Sequence, residues 1–240
     1  MSSSPALSVI IPCYNEELII RASIQRAVNS IARFEPSFEL LVCNDGSTDR
    51  TFDVAVEAAA DYENVTCLTY PNNRGAGAAF RLGLGAARGK AIMHMDADLA
   101  MEPYDVCRTL LPELASHGIA IASRYMGVKA DYPLRRRLPS AVFGLLYRTL
   151  LGLRIRDAMS GFFAVRREVF AAISPLTSDG FEVYLELFLK AKQAGFDFTE
   201  IGVEFLHQTV SGETSVVAHA PRQAMNTFRI WKNVRLGRPR

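Results

Sequence analysis

Apolar runs alternate with helical repeats over the first half of the chain. Five short runs are predicted as strands, at residues 8–12, 39–43, 65–70, 91–95 and 119–123. Between them, apolar residues recur every three to four positions, which predicts helices at 16–34, 50–60, 76–88 and 103–117. Strands that are apolar throughout and alternate with helices are typical of a parallel sheet covered on both faces. The pattern therefore predicts an α/β domain of the Rossmann-like, nucleotide-binding kind.

After residue 125 this regular alternation stops. Residues 135–153 are apolar nearly all round and are bounded by arginines, but the stretch is too short and too charged to cross a bilayer. Either it packs in the core or it lies in a lipid headgroup layer. Three further features follow it, namely an apolar stretch at 162–165, a helix at 181–194 and a strand near 199–205.

The last residues of the chain are basic. Pro221 is a good first helical position, and Phe228 and Trp231 fall on one face of a helical wheel, beside basic residues. This arrangement indicates an interfacial helix, and a frayed polar tail is the competing interpretation. We therefore expect a single domain over residues 1–215 and a basic helix or tail over 216–240.

Composition excludes several classes of protein. The chain has 240 residues, of which 49% are hydrophobic and 22% charged, which excludes a disordered, collagen-like or coiled-coil chain. Its four cysteines are widely spaced and form no CxxC pair, as expected in a reducing compartment. The first residues lack the basic and apolar regions of a secretory signal. We therefore expect a cytoplasmic protein that does not span a membrane.

Positive charge is concentrated in two segments. The net charge is +2, yet residues 124–156 hold eight basic side chains against one acid, and residues 220–240 hold six against none. Two basic segments on an acidic body favour an anionic partner, either a membrane surface or a phosphorylated substrate. Solvated surface is the alternative. No zinc-finger, RNP-like or homeodomain-like motif is present, so we expect no nucleic-acid partner.

The most specific chemical signal is the string MHMDADL at residues 93–99. Asp96 and Asp98 follow a buried strand at spacing i and i+2, so the two carboxylates point to one side of the chain. Two close carboxylates repel unless a cation lies between them, and oxygen ligands suit Mg²⁺ or Mn²⁺. Ala97 leaves room for a diphosphate to approach the backbone. A surface turn that happens to hold two acids is the alternative, but ligands bind at the carboxyl ends of such strands.

Two other strand ends carry polar groups. Tyr14 can stack on a base, and Asp45 can accept a hydrogen bond from a base or a ribose, although the residues around both also suit helix caps. The Gly-rich stretch 75–80 fails the G-x-G-x-x-G pattern, and no Walker or G-x-S-x-G motif occurs. His94 lies on an apolar strand and is expected to be a satisfied core residue.

Several motifs in order resemble one enzyme family. They are SVIIPCYNEE, NDGSTDRT, NRGAGAAFRLGLGAARG, MDADL, ASRY, RRRLPS, DAMSGFFAVRREV and DGFEVYLELFLKA, which lie within residues 8–205. Together they resemble the inverting GT-A glycosyltransferases of family 2, in the branch similar to dolichol-phosphate mannose synthase. The resemblance implies the GT-A fold, a mostly parallel sheet with helices on both faces, followed by amphipathic C-terminal helices.

The resemblance also implies roles for residues that match its motifs. The implied donor-nucleotide positions are Pro12, Tyr14, Glu16, Cys43, Asp45, Asp96, Ala97 and Asp98. The implied acceptor-phosphate positions are Arg124, Arg136, Arg137, Ser140 and Ser160. The implied metal ligands are Asp96 and Asp98, and the implied catalytic residues are Asp98, Arg124 and Asp157.

The implied reaction is metal-dependent and inverting. It moves a mannose- or glucose-type sugar from a GDP- or UDP-sugar to a polyprenyl or dolichyl phosphate, on a protein bound peripherally to the cytoplasmic face of a membrane. A saccharide or lipid hydroxyl acceptor, with Asp157 as general base, is the close alternative. A non-catalytic nucleotide-sugar-binding module and a nucleotidyltransferase are further alternatives, and a partner protein is compatible with the charge pattern.

The chain departs from the family pattern in three places. Asn44 stands where the family has an acid, and Phe163 stands where it has an arginine. Residues 209–215 read TVSGETS and lack the arginine and lysine of the matching family string. Fewer cations near a diphosphate point to a variant donor or acceptor, or to a protein without activity.

Overall fold

The computed structural model describes residues 4–124, 126, 152, 155–157, 160–173 and 175–206. Within them one mixed sheet is formed by the strands β1 Leu7–Cys13, β2 Phe38–Asn44, β3 Val65–Thr69, β4 Ala91–His94, β5 Ile119–Ser123, β6 Phe163–Arg166 and β7 Phe198–Gly202. The α-helices are α1 Ile20–Ala32, α2 Thr51–Ala59, α3 Ala76–Ala86, α4 Pro103–Leu110, α5 Arg167–Ala172 and α6 Glu182–Gln193. The predicted tail at 216–240 and all of 135–153 except Gly152 lie outside the described residues.

The sheet has the order β3-β2-β1-β4-β6-β5-β7. Strand β1 pairs in parallel with β2 and β4, and β2 pairs in parallel with β3, as the alternating pattern predicts. Strand β6 runs antiparallel between β4 and β5, so the sheet is mixed. A four-residue strand that is buried on both faces carries no sequence signal for its direction. Because only β6 is reversed, the carboxyl ends of β1, β2, β4 and β5 share one edge of the sheet.

Each face of the sheet is covered by helices. Val9 and Ile11 of β1 point into a core cluster shared with α1, α2 and α4, whereas Ile10 points into the cluster shared with α3, α5 and α6. This accounts for the unbroken apolar runs in the sequence, because both sides of the strand are buried. The predicted helix at 103–117 is too long: α4 ends at Leu110, and Pro112 begins a separate 3₁₀ turn, since a proline cannot continue an α-helix.

A buried carboxylate holds the opposite edge of the sheet together. Glu39 on β2 is 5% exposed and accepts hydrogen bonds from the Ser8 hydroxyl at 2.6 Å and from the amide and guanidinium groups of Arg88. Burial alone would raise the pKa of Glu39, but these hydrogen bonds outweigh it and lower that pKa below its ordinary value. The ionised form therefore stabilises the fold.

Replacing Glu39 with glutamine is expected to lower the free energy of unfolding at pH 7 by about 2 kcal/mol, because charged hydrogen bonds are lost. Since the folded-state pKa is lowered, the contribution of Glu39 is present above the pKa of the unfolded chain and is lost as the pH falls through the folded value. Urea unfolding between pH 7 and pH 3 should therefore show a smaller loss in acid for Glu39→Gln than for the wild type. Exposed Glu63→Gln is the control, and an acid profile of Glu39→Gln that matches it would contradict this account.

Candidate active site at the carboxyl edge of the sheet

Asp96 and Asp98 lie directly after β4, on either side of the buried Ala97. Burial raises the pKa of Asp96 to about 6; the charge of Asp157 adds to this effect, and that of Arg124 opposes it. Burial also raises the pKa of Asp98 to about 6, and the charge of Asp96 is the second cause. Burial therefore disfavours the ionised form of both carboxylates, the charge of Asp96 adds to this effect at Asp98, and a cation between them would favour the ionised forms.

The composition of this site fits a hard divalent cation. Among the residues that the structure describes, no group of three or more His, Cys, Asp or Glu side chains could hold a metal ion. Asp96 and Asp98 would fill only part of the coordination shell of such a cation, which leaves positions for substrate oxygens and water. Mg²⁺ and Mn²⁺ suit this arrangement, because Mg²⁺ is typically held by one or two carboxylates together with phosphate oxygens.

The turn that carries the two acids has an unusual backbone. Leu99 is buried with φ 46°, in the left-handed region, which costs a residue with a side chain about 1 kcal/mol. Its amide donates to the Asp96 carbonyl at 3.1 Å, and the Ala100 amide donates to Asp98 Oδ1 at 3.1 Å. This tight turn fixes the direction of the Asp98 carboxylate.

Gly161 lies against the Asp96 carboxylate, and its carbonyl contacts His94. A Cβ at Gly161 would overlap the Asp96 carboxylate, so any larger residue there would displace that carboxylate from its present position. The Gly161 carbonyl lies 2.7 Å from His94 Nδ1, and the Tyr184 hydroxyl lies 2.6 Å from His94 Nε2. Since a carbonyl can only accept, Nδ1 carries the proton and Nε2 accepts from the tyrosine. Burial lowers the pKa of His94 to about 4, so the ring is neutral, and the prediction of a satisfied core histidine is confirmed.

The loops after β1 and β2 are joined to each other. The Asn15 amide donates to Ser47 Oγ at 2.9 Å, and the Thr48 amide donates to Asn15 Oδ1 at 2.9 Å. Asn15 has φ 55°, in the left-handed region that asparagine tolerates better than most residues. The cap-like residues noted in the sequence thus bond across the two loops and form one wall of the candidate site.

Two predicted donor-site residues lie on this wall. Tyr14 is 41% exposed, so its ring is accessible. Burial raises the pKa of Glu16 to about 7, and the charges of Asp98, Asp49 and Asp96 raise it further. The Glu16 carboxylate is therefore within electrostatic reach of the carboxylate pair. Pro12 is the penultimate residue of β1, and its part in nucleotide binding remains a prediction.

The carboxylate of Asp45 accepts hydrogen bonds from other residues of the fold. It is buried and accepts hydrogen bonds from the Tyr70 hydroxyl, from Asn73 Nδ2 at 2.9 Å and from the amides of Arg74 and Gly75. The carboxylate thus anchors the loop that precedes α3. All of these donors belong to the fold itself, and a hydrogen bond from a base or a ribose to Asp45 stays a prediction.

Two more implied ligands, Cys43 and Ser160, have buried side chains. Cys43 is fully buried, and its thiol packs against Gly83 of α3, where a Cβ would lie 2.8 Å from the sulfur. Ser160 is buried, and its hydroxyl donates to the Ala122 carbonyl at 2.6 Å. The single hydroxyl proton of Ser160 is thus used within the fold, and the roles of Ser160 and Cys43 in ligand binding stay predictions.

Buried Asp157 and partly exposed Arg124 form an ion pair beside the carboxylate pair. Asp157 is 2% exposed, and both of its oxygens accept from the Arg124 guanidinium, Oδ2 from Nε at 2.8 Å and Oδ1 from Nη2 at 2.7 Å. The Arg124 amide also donates to Oδ2 at 3.1 Å. Glu200 of β7 fixes the backbone on the Asp157 side of this pair. Its two carboxylate oxygens accept hydrogen bonds from the amides of Arg156 and Asp157 at 2.7 Å each.

The structure therefore brings together residues that the sequence analysis assigned to the donor, acceptor and catalytic positions, namely Asp96, Asp98, Glu16, Arg124 and Asp157. The implied phosphate ligands Arg136, Arg137 and Ser140 lie outside the described residues. Sequence reasoning missed Glu200. The only available signal was an acid within a predicted strand.

The Gly-rich stretch before α3 is not a phosphate cradle in this structure. The amides of Gly77 and Ala78, at the start of α3, both donate to the Asp179 carbonyl, at 2.7 and 3.2 Å. A Cβ at Gly77 would lie 2.5 Å from the Ser178 carbonyl oxygen. The glycines thus permit close backbone contact with the loop before α6, in agreement with the failed G-x-G-x-x-G pattern.

A mixed sheet of this order, with an aspartate pair after β4 at its carboxyl edge, defines a GT-A glycosyltransferase. The family model described as glycosyl transferase family 2 matches residues 8–174, and the chain belongs to that family. The implied family, fold and enzyme class are thereby confirmed.

Individual glycosyltransferases are also similar to this chain in sequence. The chain is 33% identical over 231 residues to a polyprenol monophosphomannose synthase of Mycolicibacterium smegmatis, covering 93% of this chain and 85% of that protein. It is 31% identical over 205 residues to the glycosyltransferase AglD of Haloferax volcanii, covering 83% of this chain but only 33% of that protein. The chain thus spans about a third of the length of AglD.

A solved structure has a similar fold. Glucosyl-3-phosphoglycerate synthase of Mycobacterium tuberculosis, crystallised with Mn²⁺, UDP-glucose and phosphoglyceric acid, superimposes with a TM-score of 0.66 at 19% identity, covering 98% of this chain and 81% of that one. Within the described residues, no helix combines the length and the apolarity needed to cross a membrane.

Proposed function

We propose that this glycosyltransferase moves a mannose- or glucose-type sugar from a GDP- or UDP-sugar to a polyprenyl or dolichyl phosphate, with inversion, using Mg²⁺ or Mn²⁺. The similarity to a polyprenol monophosphomannose synthase over most of both chains supports the acceptor class. The related fold crystallised with Mn²⁺ and UDP-glucose supports a divalent cation and a nucleotide-sugar donor.

Asp96 and Asp98 would hold the cation and, through it, the donor diphosphate. When bound, the cation neutralises the charge that develops on the leaving nucleoside diphosphate. The chain itself contributes the direction of the two carboxylates, set by the turn at Leu99 and by the contact of Asp96 with Gly161. Tyr14 offers an accessible ring on which a base can stack.

The Arg124–Asp157 pair is the observation that carries the choice of acceptor. A hydroxyl acceptor needs a general base, but both oxygens of Asp157 already accept from Arg124. A phosphate acceptor is itself an anionic nucleophile near neutral pH and needs no proton removed. Arg124 lies just beyond the carboxyl end of β5 and its side chain is 21% exposed, so an anionic acceptor at this edge could contact its guanidinium although Asp157 already pairs with it. The geometry therefore favours a phosphate over a hydroxyl.

This proposal can be tested with two acceptor lipids, one that carries a phosphate group and one that lacks it. With donor sugar and Mn²⁺, we expect transfer to a polyprenyl phosphate at least about 100-fold faster than to the polyprenol of the same chain length, because the alcohol lacks both the charge and the ionised oxygen. The measurement is radiolabelled sugar recovered in the lipid phase. Equal turnover of the alcohol, or no turnover of the phosphate, would overturn the proposed acceptor.

We further propose that the protein binds peripherally to the cytoplasmic face of a membrane. Leu18, in the loop after β1, is 85% exposed, and Tyr14 lies in the same loop, so apolar surface is present at the edge that carries the site. The basic segment at 124–156 adds a local charge that suits anionic lipid.

Cosedimentation of the protein with anionic vesicles should fall as salt is raised beyond about 0.1 M, where charges are screened within about 10 Å. Equal binding to neutral vesicles, or none to either, would contradict this.

A further inference from the structure

One face of α1 is bonded to the turn that carries Asp96 and Asp98. The Ser23 hydroxyl is buried and donates to the Ala97 carbonyl at 2.6 Å. One turn further along the helix, Arg26 Nη1 donates to the Leu99 carbonyl at 3.4 Å. Positions 23 and 26 share a helix face, so a single rigid element contacts the backbone at two points of the turn.

Arg26 is itself held in place by an acid just beyond the turn. Its Nε and Nη2 donate to Glu102 Oε2 at 3.0 and 2.6 Å, and the Ser30 hydroxyl donates to Glu102 Oε1 at 2.6 Å. Burial alone would raise the pKa of Glu102, but the hydrogen bonds from Ser30 and Arg26 lower it below its ordinary value. The carboxylate therefore stays ionised and keeps the guanidinium beside the turn.

The turn needs such support. Leu99 adopts a left-handed backbone conformation that a leucine leaves unless its surroundings hold it there. This backbone strain favours opening of the turn, and the bonds from α1 oppose it.

We propose that Ser23, Arg26 and Glu102 are positioning residues that preset the metal- and diphosphate-binding turn before the donor arrives. The identity of the ligand in this inference rests on the proposed function. The bracing of the turn, meaning its stabilisation by hydrogen bonds from Ser23 and Arg26, does not depend on that function. Holding a binding loop in its bound conformation lowers the cost of binding, and outer contacts of this kind commonly change metal affinity about 10-fold or more.

The first test needs no ligand. Hydrogen exchange of the Leu99 and Ala100 amides, measured by NMR in the metal-free protein, reports opening of the turn. Arg26→Met is expected to speed exchange of both amides about 10-fold, since it removes the charged bonds to Glu102 and Leu99. Arg21→Met is the matched control, because Arg21 lies on the same helix and bonds to Glu57 at 2.6 Å, away from the turn. Equal exchange in the two variants would overturn the bracing.

The second test measures the affinity of the protein for Mn²⁺. Mn²⁺ binding, followed by the electron paramagnetic resonance of free Mn²⁺, is expected to weaken about 10-fold in Arg26→Met and to be unchanged in Arg21→Met. In turnover, KM for the donor should rise while kcat changes little, because preorganisation contributes equally to ground and transition states. A fall in kcat at constant KM would contradict this role.

A second variant guards against loss of folding. If Arg26→Met does not fold, Ser23→Ala removes the bond to Ala97 and Ser23→Thr restores a hydroxyl, so the alanine variant should show the faster exchange and the threonine variant should reverse it. No difference between these two variants would count against the proposal. If the wild type binds no Mn²⁺ although exchange depends on these residues, the proposed metal site fails and the bracing stands. If Mn²⁺ binds equally in all variants, the positioning role fails.

Discussion

Replacing Asp98 with asparagine is expected to lower kcat about 1,000-fold, because one carboxylate of the proposed cation site is lost where charge develops on the leaving diphosphate. The same change should leave the metal-free protein at least as stable as the wild type. Burial and the charge of Asp96 raise the pKa of Asp98 to about 6, so its negative charge opposes folding at pH 7. Turnover at saturating donor and urea unfolding measure the two effects.

Asp105→Asn is the matched control for this experiment. Asp105 lies in the first turn of α4 and pairs with Arg108 at 3.0 Å on the surface, so its loss should leave kcat within about twofold. Wild-type turnover in Asp98→Asn would remove the carboxylate pair from the mechanism. A large loss of stability would show instead that Asp98 supports the fold.

Replacing Arg124 with methionine is expected to produce the largest loss of stability, about 3–5 kcal/mol, because it leaves a buried carboxylate without its partner. Asp157 is 2% exposed and both of its oxygens accept from the Arg124 guanidinium. Removing the acid as well, in Arg124→Met/Asp157→Leu, should recover part of the loss, since no unpaired charge then remains. Urea unfolding of the single and double variants gives both values.

The control for the pair is Arg108→Met. Arg108 also pairs with an aspartate, but both side chains of that pair are exposed, 61% and 43%, so its loss should cost less than about 1 kcal/mol. If Arg124→Met proved no more costly than Arg108→Met, the ion pair would not hold the site together. The argument that Asp157 is unavailable as a general base would then lose its support.

The main features of the fold follow from the sequence, because they depend on local pattern. Short, mostly apolar runs such as residues 8–12 are typical of strands buried on both faces, and β1 and the other early strands form the parallel part of the sheet. The aspartate pair could be placed at the edge of the sheet because Asp96 and Asp98 follow an apolar strand.

The remainder depends on contacts between distant residues. The reversed direction of β6 has no signature in its four residues, three apolar and one arginine, and it decides which turn meets Asp96. The partners of Asp45 come from a loop that lies 25 to 30 residues further along the chain, so no motif indicates that its carboxylate is occupied. Glu200 was missed for the same reason, because its role depends on where residues 156 and 157 pass β7.

The most direct test of the account is a crystal structure of the protein with Mn²⁺ and a non-hydrolysable nucleotide-sugar. We predict an anomalous manganese peak about 2 Å from carboxylate oxygens of the Asp96–Asp98 pair and from the donor diphosphate. A nucleotide-sugar bound at this edge with no manganese beside the two aspartates, or a manganese peak elsewhere on the molecule, would contradict the central claim.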